Sequence, residues 1–118
     1  MAYREFLVPT DDEIRDALGA RPEQAGDEPT TRAVQLVNDA GDELLLSYDV
    51  PGRSVRCRWQ RHSVPVLDLF REAATRMTVT SGPGTAGVRV SFESDELSGH
   101  LSVQVYPSVQ ISDELLYR

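Results

Sequence analysis

Residues 31–61 read TRAVQLVNDAGDELLLSYDVPGRSVRCRWQR and contain three segments in which apolar and polar side chains alternate. Alternation with a period of two is typical of strands with one buried face. The first connection is Asp39-Ala40-Gly41, whose glycine can take the left-handed position of a three-residue hairpin loop. The second is Val50-Pro51-Gly52-Arg53, in which proline fixes φ for a turn. The sequence therefore predicts two consecutive antiparallel hairpins.

The lengths of these loops fix the register of both hairpins. The first loop places Leu36 opposite Leu44 and Val34 opposite Leu46, and a one-residue slip would separate the apolar faces. The second loop extends the same inward face, which we predict to contain the residues Leu44, Leu46, Tyr48, Val55, Cys57 and Trp59. Cys57 is therefore expected to behave as a small buried hydrophobe and not as a nucleophile.

A local excess of positive charge marks the candidate binding residues. The predicted register points Arg56 and Arg58 outward on the third segment, and the candidate binding stripe consists of Arg56, Arg58, Arg61 and His62. One interpretation is that the stripe grips a phosphate, a carboxylate or an acidic partner surface. The other is that it is a solvated strand face, paired to acids such as Glu43 and Asp49.

Two segments carry helix signals. The motif TDDE at residues 10–13 is a capping box, followed by an apolar stripe and a stop at Gly19. After residue 62, Ser63 is suited to an N-cap and Pro65 to a first turn. The apolar residues after them follow helical spacing as far as Met77, with Phe70 expected to lie over the buried sheet face. This segment is predicted to be the main helix.

The C-terminal part reads as a further hairpin. Val88–Ser94 and Gly99–Tyr106 alternate, and a four-residue loop between them would set Glu93 opposite His100. An acid can orient an imidazole and raise its pKa, but no nucleophile lies at a recognisable spacing, so the sequence favours a surface cross-strand contact. Thr78–Ser81 is an optional further strand. The apolar tail at residues 115–117 is expected to dock on the core or on another subunit.

Together these elements predict an α+β fold in one domain over residues 1–118. We expect an antiparallel sheet of five to six strands, one main helix and a short N-terminal helix, in the order α-β-β-β-α-(β)-β-β. That element order resembles the dimeric type III secretion chaperones, which are also small and acidic. The resemblance implies a protein-binding adaptor, although the long final helix of those chaperones has no counterpart here.

Composition narrows the possible functions. The 118 residues carry a net charge of −7, which argues against binding nucleic acid or anionic lipid. All 12 basic residues are arginine, which is typical of a GC-rich bacterial genome. A single cysteine excludes an internal disulfide and fits a reducing cytoplasm, and residues 1–6 lack the apolar region of a signal peptide. The chain is therefore expected to be a cytoplasmic bacterial protein.

The sequence predicts no catalytic residues, no metal site and no cofactor, because it lacks the motifs of hydrolases, zinc sites and dinucleotide-binding folds. We therefore expect a non-enzymatic interaction or regulatory module, of an adaptor, immunity or chaperone-like type, whose partner is a protein and possibly a second copy of the chain. Two alternatives stay open at this stage. One is a small-molecule-binding domain with a pocket between sheet and helix, and the other is a hydrolase-type enzyme.

Overall fold

The computed structural model describes residues 5–117, with the backbone alone for Tyr117. The expectation that residues 1–6 are not a signal peptide falls mainly on residues 1–4, which lie outside the described part. The described residues form one α-helix and nine strands. Their bounds are α1 Asp11–Leu18, β1 Glu23–Gln24, β2 Thr31–Val37, β3 Asp42–Asp49, β4 Ser54–Arg61, β5 Val64–Glu72, β6 Ala74–Gly82, β7 Thr85–Glu93, β8 Leu97–Tyr106 and β9 Gln110–Tyr117.

The strands form two antiparallel sheets in simple sequential order. The first sheet has the order β1-β2-β3-β4-β5 and the second has the order β6-β7-β8-β9. Their inward side chains form one apolar core between the sheets, which includes Val34, Leu36, Leu44, Leu46, Val55, Val88, Val90, Leu101, Val103 and Val105. The protein is therefore mostly β, and the predicted α+β fold with a main helix is wrong. The resemblance to the type III secretion chaperones, which rested on that element order, does not hold either.

The registers predicted for the first sheet are confirmed. Leu36 is paired with Leu44 and Val34 with Leu46 across β2 and β3. Between β3 and β4 the observed pairs are Tyr48–Val55, Leu46–Cys57 and Leu44–Trp59, as the loop lengths indicated. The N-terminal helix is also confirmed, because Thr10 and Glu13 form the capping box and Gly19 ends the helix at φ 82°. The helix packs beside β6 and β7.

The predicted main helix is instead an edge strand and the start of the next sheet. His62 and Ser63 have φ values of 49° and 65°, so they form a two-residue turn that sets Arg61 opposite Val64. Turns of this kind usually contain Asn or Gly, and without them the hairpin signal was hidden. The following apolar residues fill both faces of a strand, and this pattern also fits helical spacing. Pairing with β4 decides the outcome.

A single residue turns the chain from one sheet into the other. Ala73 separates β5 from β6 and has φ 67°, a left-handed conformation that is unusual for alanine. Its carbonyl accepts a hydrogen bond from the Glu93 N–H at 3.0 Å, and the Ala74 N–H donates to the Arg53 carbonyl at 3.0 Å. These hydrogen bonds fix a corner at which the chain passes from β5 in the first sheet to β6 in the second.

The second sheet differs from the predicted register by two residues. Val88 lies opposite Val103 and Phe92 opposite Gly99, so the same side chains point inward but with other partners. Glu93 consequently pairs with Ser98. The imidazole of His100 lies 3.8 Å from a carboxylate oxygen of Glu114 on β9. The expected Glu93–His100 pairing is therefore wrong. Residues 115–117, which were expected to dock as an apolar tail, form the end of β9, the edge strand of the second sheet.

One buried carboxylate joins the turns at one end of the molecule. Asp42 is 1% exposed and accepts hydrogen bonds from Trp59 Nε1 at 2.9 Å and from Arg61 Nε at 2.8 Å. Asn38 Nδ2 donates to its other oxygen at 3.0 Å and also to the carbonyl of Val105 on β8, at 3.0 Å. Asp42 thus ties β3 to β4 directly and, through Asn38, to the second sheet. The hydrogen bond from Arg61 is the main reason that the pKa of Asp42 lies well below its ordinary value of 3.8.

Replacing Asp42 by asparagine should destabilise the protein by roughly 3 kcal/mol at pH 7, because Arg61 and Trp59 lose a charged acceptor in a buried position. A carboxyl group whose pKa is lower in the folded than in the unfolded state stabilises the fold at pH values above its unfolded-state pKa. This stability is lost as the pH falls towards the folded-state pKa. The difference in the free energy of unfolding between the wild type and D42N should therefore narrow by roughly 1 kcal/mol between pH 7 and pH 3. Urea unfolding at both pH values measures this, and a gap that widens at pH 3 would contradict the assignment.

The single cysteine is buried as expected, with an exposed fraction of 0%. Burial, followed by the negative charge of Asp68, raises the pKa of the Cys57 thiol to about 12. We expect a thiol reagent at pH 7.5 to label the folded protein at least 100-fold more slowly than the protein in urea, because the reactive form is the thiolate. Equal rates in the two states would show that Cys57 is accessible.

Candidate functional site

Two of the predicted cationic residues lie together on the outer face of the first sheet. Arg56 forms a two-point ion pair with Asp68 of β5, with Nε and Nη2 at 2.9 and 2.7 Å from the two carboxylate oxygens. Arg58 reaches the same carboxylate through Nε at 3.5 Å. The pair lowers the pKa of Asp68 and raises that of Arg56, because each stabilises the charge of the other. Two guanidinium groups therefore share one carboxylate, and the cluster keeps a net positive charge.

Apolar side chains flank this charged cluster. Phe70 lies directly opposite Arg56 on β5 and is 56% exposed. Leu45 lies opposite Arg58 on β3 and is 36% exposed. Exposed aromatic and arginine side chains side by side are the residue types that contribute most to protein–protein interfaces. A solvated polar sheet face does not need a phenylalanine exposed on its edge strand.

The cluster forms one wall of a shallow groove of about 430 Å³. The connection after β1 supplies the opposite wall, and the floor is the outer face of β2, β3 and β4. We call this the outer groove; its lining residues are Ala25, Glu28, Thr31, Ala33, Leu45, Ser47, Tyr48, Asp49, Ser54, Arg56, Arg58 and Phe70. The lining mixes both signs of charge with apolar surface, which suits a protein surface better than a single anion.

The other two residues of the predicted stripe lie elsewhere. Arg61 points to the inner side of the sheet, pairs with Asp42 and stacks over the ring of Trp59, 5.4 Å from its centre. His62 belongs to the tight turn, where a side chain on Gly41 would come within 2.3 Å of the imidazole. The structure therefore brings Arg56 and Arg58 together and separates Arg61 and His62 from them. That these four residues bind a ligand stays a prediction.

Sequence reasoning missed Phe70 as a surface residue. Phe70 was expected over the core because residues 63–77 were read as a helix, and this is wrong. Reading that segment as a strand joined to β4 by a two-residue turn would set Phe70 opposite Val55, on the inner face. The register shift between Trp59 and Gln60, which the sequence did not indicate, brings Phe70 opposite Arg56 on the outer face. The predicted outward position of Leu45 beside Arg58 is confirmed, but nothing in the sequence marked it as functional.

Other kinds of site have less support in the structure. Within residues 5–117 no group of three or more His, Cys, Asp or Glu side chains is arranged to hold a metal ion. No helix among the described residues is long and apolar enough to cross a membrane. A second cavity of about 380 Å³ lies between the β2–β3, β6–β7 and β8–β9 turns, with Tyr106 and Pro107 in its wall.

Comparisons with known proteins give a fold but no family. No protein-family model matches the chain. It is similar to the uncharacterized transcriptional regulatory protein YrkP of Bacillus subtilis strain 168, with 33% identity over 117 residues, which cover 89% of this chain and 50% of YrkP. The chain therefore spans about half the length of that curated relative.

The fold itself is shared with a chain in a solved contact-dependent growth inhibition toxin–immunity protein complex from Klebsiella pneumoniae 342. The TM-score is 0.80, and the match covers 93% of this chain and 96% of that chain. Sequence identity is 12%, so the likeness establishes the architecture and leaves the function to be argued from the surface.

Truncating the aromatic residues Trp59 and Phe70 should have different consequences for stability. Trp59→Ala should cost roughly 3 kcal/mol, because the indole packs against the core and donates to Asp42. Phe70→Ala should change the free energy of unfolding by less than about 0.5 kcal/mol, because the ring is mostly solvated. Thermal unfolding of the two variants distinguishes them, and a large loss for Phe70→Ala would return that residue to a structural role.

Proposed function

We propose that this protein is a non-enzymatic binding module of the immunity type, which neutralises a protein partner in the bacterial cytoplasm. The partner would be bound at the outer groove. The observation that carries the proposal is the exposed cluster of Phe70, Leu45, Arg56 and Arg58 on a flat sheet face. A rigid sheet holds these side chains in place before binding, so little entropy is lost on association. Partner binding would then be centred on this cluster.

The fold and the charge of the chain support this proposal. A chain of the same architecture occurs in a toxin–immunity complex, where two proteins bind each other. The net charge of −7 favours an overall basic partner, because long-range attraction speeds the encounter. At the contact itself, the net positive charge of Arg56 and Arg58 with Asp68 favours an acidic group of that partner. We expect the association rate to fall steeply with added salt, whereas the dissociation rate, set by the groove contacts, changes less.

A small-molecule-binding domain is the second candidate, and one observation favours it. The volume of the outer groove lies within the usual range of ligand pockets. The groove differs from the pocket expected between sheet and main helix, because that helix is absent and the groove lies on the outer face. Its openness to solvent makes a protein surface the better occupant. The small-molecule alternative predicts saturable binding that Leu45→Glu abolishes without any macromolecular partner.

The test uses two leucine-to-glutamate variants with the same chemical change. Leu45→Glu places a charge in the outer groove, and the new carboxylate can pair with Arg58, so the fold should survive. Leu116→Glu is the matched control, because Leu116 is 54% exposed on β9 of the other sheet. Affinity capture from the source bacterium identifies a candidate partner, and calorimetry then measures binding between the two purified proteins.

We expect Leu45→Glu to weaken binding at least tenfold and Leu116→Glu to change it by less than about threefold. The immunity role adds a growth test in which the partner alone arrests cells and co-expression of the wild-type chain, but not of Leu45→Glu, restores growth. Equal binding by the wild type and Leu45→Glu would remove the outer groove as the binding site. Growth unaffected by the partner would leave a binding module without an immunity role.

A further inference from the structure

The strand β5 ends the first sheet with an unpaired edge. Among residues 5–117, β4 is the only strand that pairs with β5, so the backbone groups along its other side lack a strand partner. The other edges are shorter or covered. Strand β1 has two residues and β9 has eight, and the edge of β6 is bridged by Leu7, whose N–H and carbonyl bond to Thr75 and Met77 at 3.0 and 2.8 Å. An edge of nine residues with exposed apolar side chains invites another strand.

The sequence of β5 has the same pattern in both directions. Residues 66–70 read VLDLF. Asp68 has a leucine on each side, and beyond each leucine lies another apolar residue, Val66 or Phe70. Leu67 and Leu69 lie opposite Trp59 and Cys57 on the inner side, whereas Asp68 and Phe70 lie opposite Arg58 and Arg56 on the outer side. Alternation from Asp68 places Val66, which is 50% exposed, on the outer side as well.

We propose that two copies of the chain pair through β5, antiparallel to each other, with a two-fold axis at Asp68. This register sets Val66 opposite Phe70 of the second copy and Leu67 opposite its Leu69, so apolar residues meet on both faces. Such an interface is self-complementary, as a two-fold symmetric contact must be. The two five-stranded sheets become one sheet of ten strands, and both outer grooves lie on the same face.

The charges at the axis are compatible with this pairing. Two like charges placed opposite each other normally destabilise a strand pair. Here each Asp68 is already neutralised by Arg56, and Arg58 contributes a second guanidinium through Nε alone. Four guanidinium groups thus surround two carboxylates in the pair. Arg58 has further N–H groups with which to reach the Asp68 of the second copy.

The bulge in β5 limits how far the pairing extends. The ladder between β4 and β5 shifts register between Trp59 and Gln60, because Trp59 faces Leu67 and Gln60 faces Pro65. Proline lacks an N–H, so the strand from residue 64 to residue 65 adds little to a ladder. The ladder is regular from Leu67 to Glu72, so the centre of the proposed interface lies in regular strand and Val66, the extra residue of the bulge, lies at its limit.

Disulfide trapping tests the proposed register. In the double variant Val66→Cys, Phe70→Cys, the thiol at position 66 of each copy lies opposite the thiol at position 70 of the other copy. The Cα separation of such a pair is one that a disulfide spans. The two positions in one chain are four residues apart along a strand, too far for an internal bridge. Mild oxidation should convert most of the double variant into a covalent dimer, while each single variant stays monomeric on a non-reducing gel. Buried Cys57 should not react.

Light scattering tests the association without oxidation. The wild type should have twice the mass of the chain at about 50 µM, and Val66→Lys should shift the dissociation constant at least tenfold towards monomer. Val37→Lys is the matched control, because Val37 is 56% exposed on β2, away from β5, and should leave the dimer intact. A monomeric wild type, or cross-linking of the single variants equal to that of the double variant, would overturn the proposal. Val66 does not line the outer groove, so this outcome is independent of the proposed function.

Discussion

The buried carboxylate of Asp42 is the interaction on which the arrangement of the two sheets depends. Without it, the turn between β2 and β3 would still close, but the side chains of Trp59 and Arg61 would lose their shared acceptor. Asn38, which also donates to the carbonyl of Val105 on β8, would lose one of its two acceptors. A buried charge is unfavourable unless its oxygens are satisfied, so this carboxylate is compatible with one arrangement of its neighbours only. It therefore specifies how the hairpin ends meet.

Two consequences follow for the surface. Arg61 is held by Asp42, so the arginines left for the outer face are Arg56 and Arg58, and the candidate site is smaller than the charge pattern implied. The tight turn at His62 and Ser63 then returns the chain as β5, which brings Asp68 and Phe70 beside those arginines. The outer groove is thus a product of strand pairing, because its main residues lie on three different strands.

The sequence was informative where loops and alternation agreed, and misleading where they did not. The pairing of β2, β3 and β4 could be predicted to the residue because Gly41 and Pro51 each restrict the turn, and one slip would expose Leu44 and Leu46. The segment from Ser63 to Met77 could not, because Val64, Val66, Leu67, Leu69 and Phe70 fit either period. Strand pairing is a long-range interaction that overrides local helix signals such as Ser63 before Pro65. In the second sheet, the predicted inward side chains are correct but the predicted register is not, because a shift of two residues leaves the same side chains pointing inward.

We propose that the outer face of the first sheet, around Phe70, Leu45, Arg56 and Arg58, binds a protein partner. The most direct measurement is the change in backbone amide chemical shifts of the isotope-labelled protein when the unlabelled partner is added. We expect the largest changes on β3, β4 and β5, at these four residues and their neighbours in the outer groove. Changes confined to β6, β7, β8 and β9, with Leu45 and Arg58 unaffected, would contradict it.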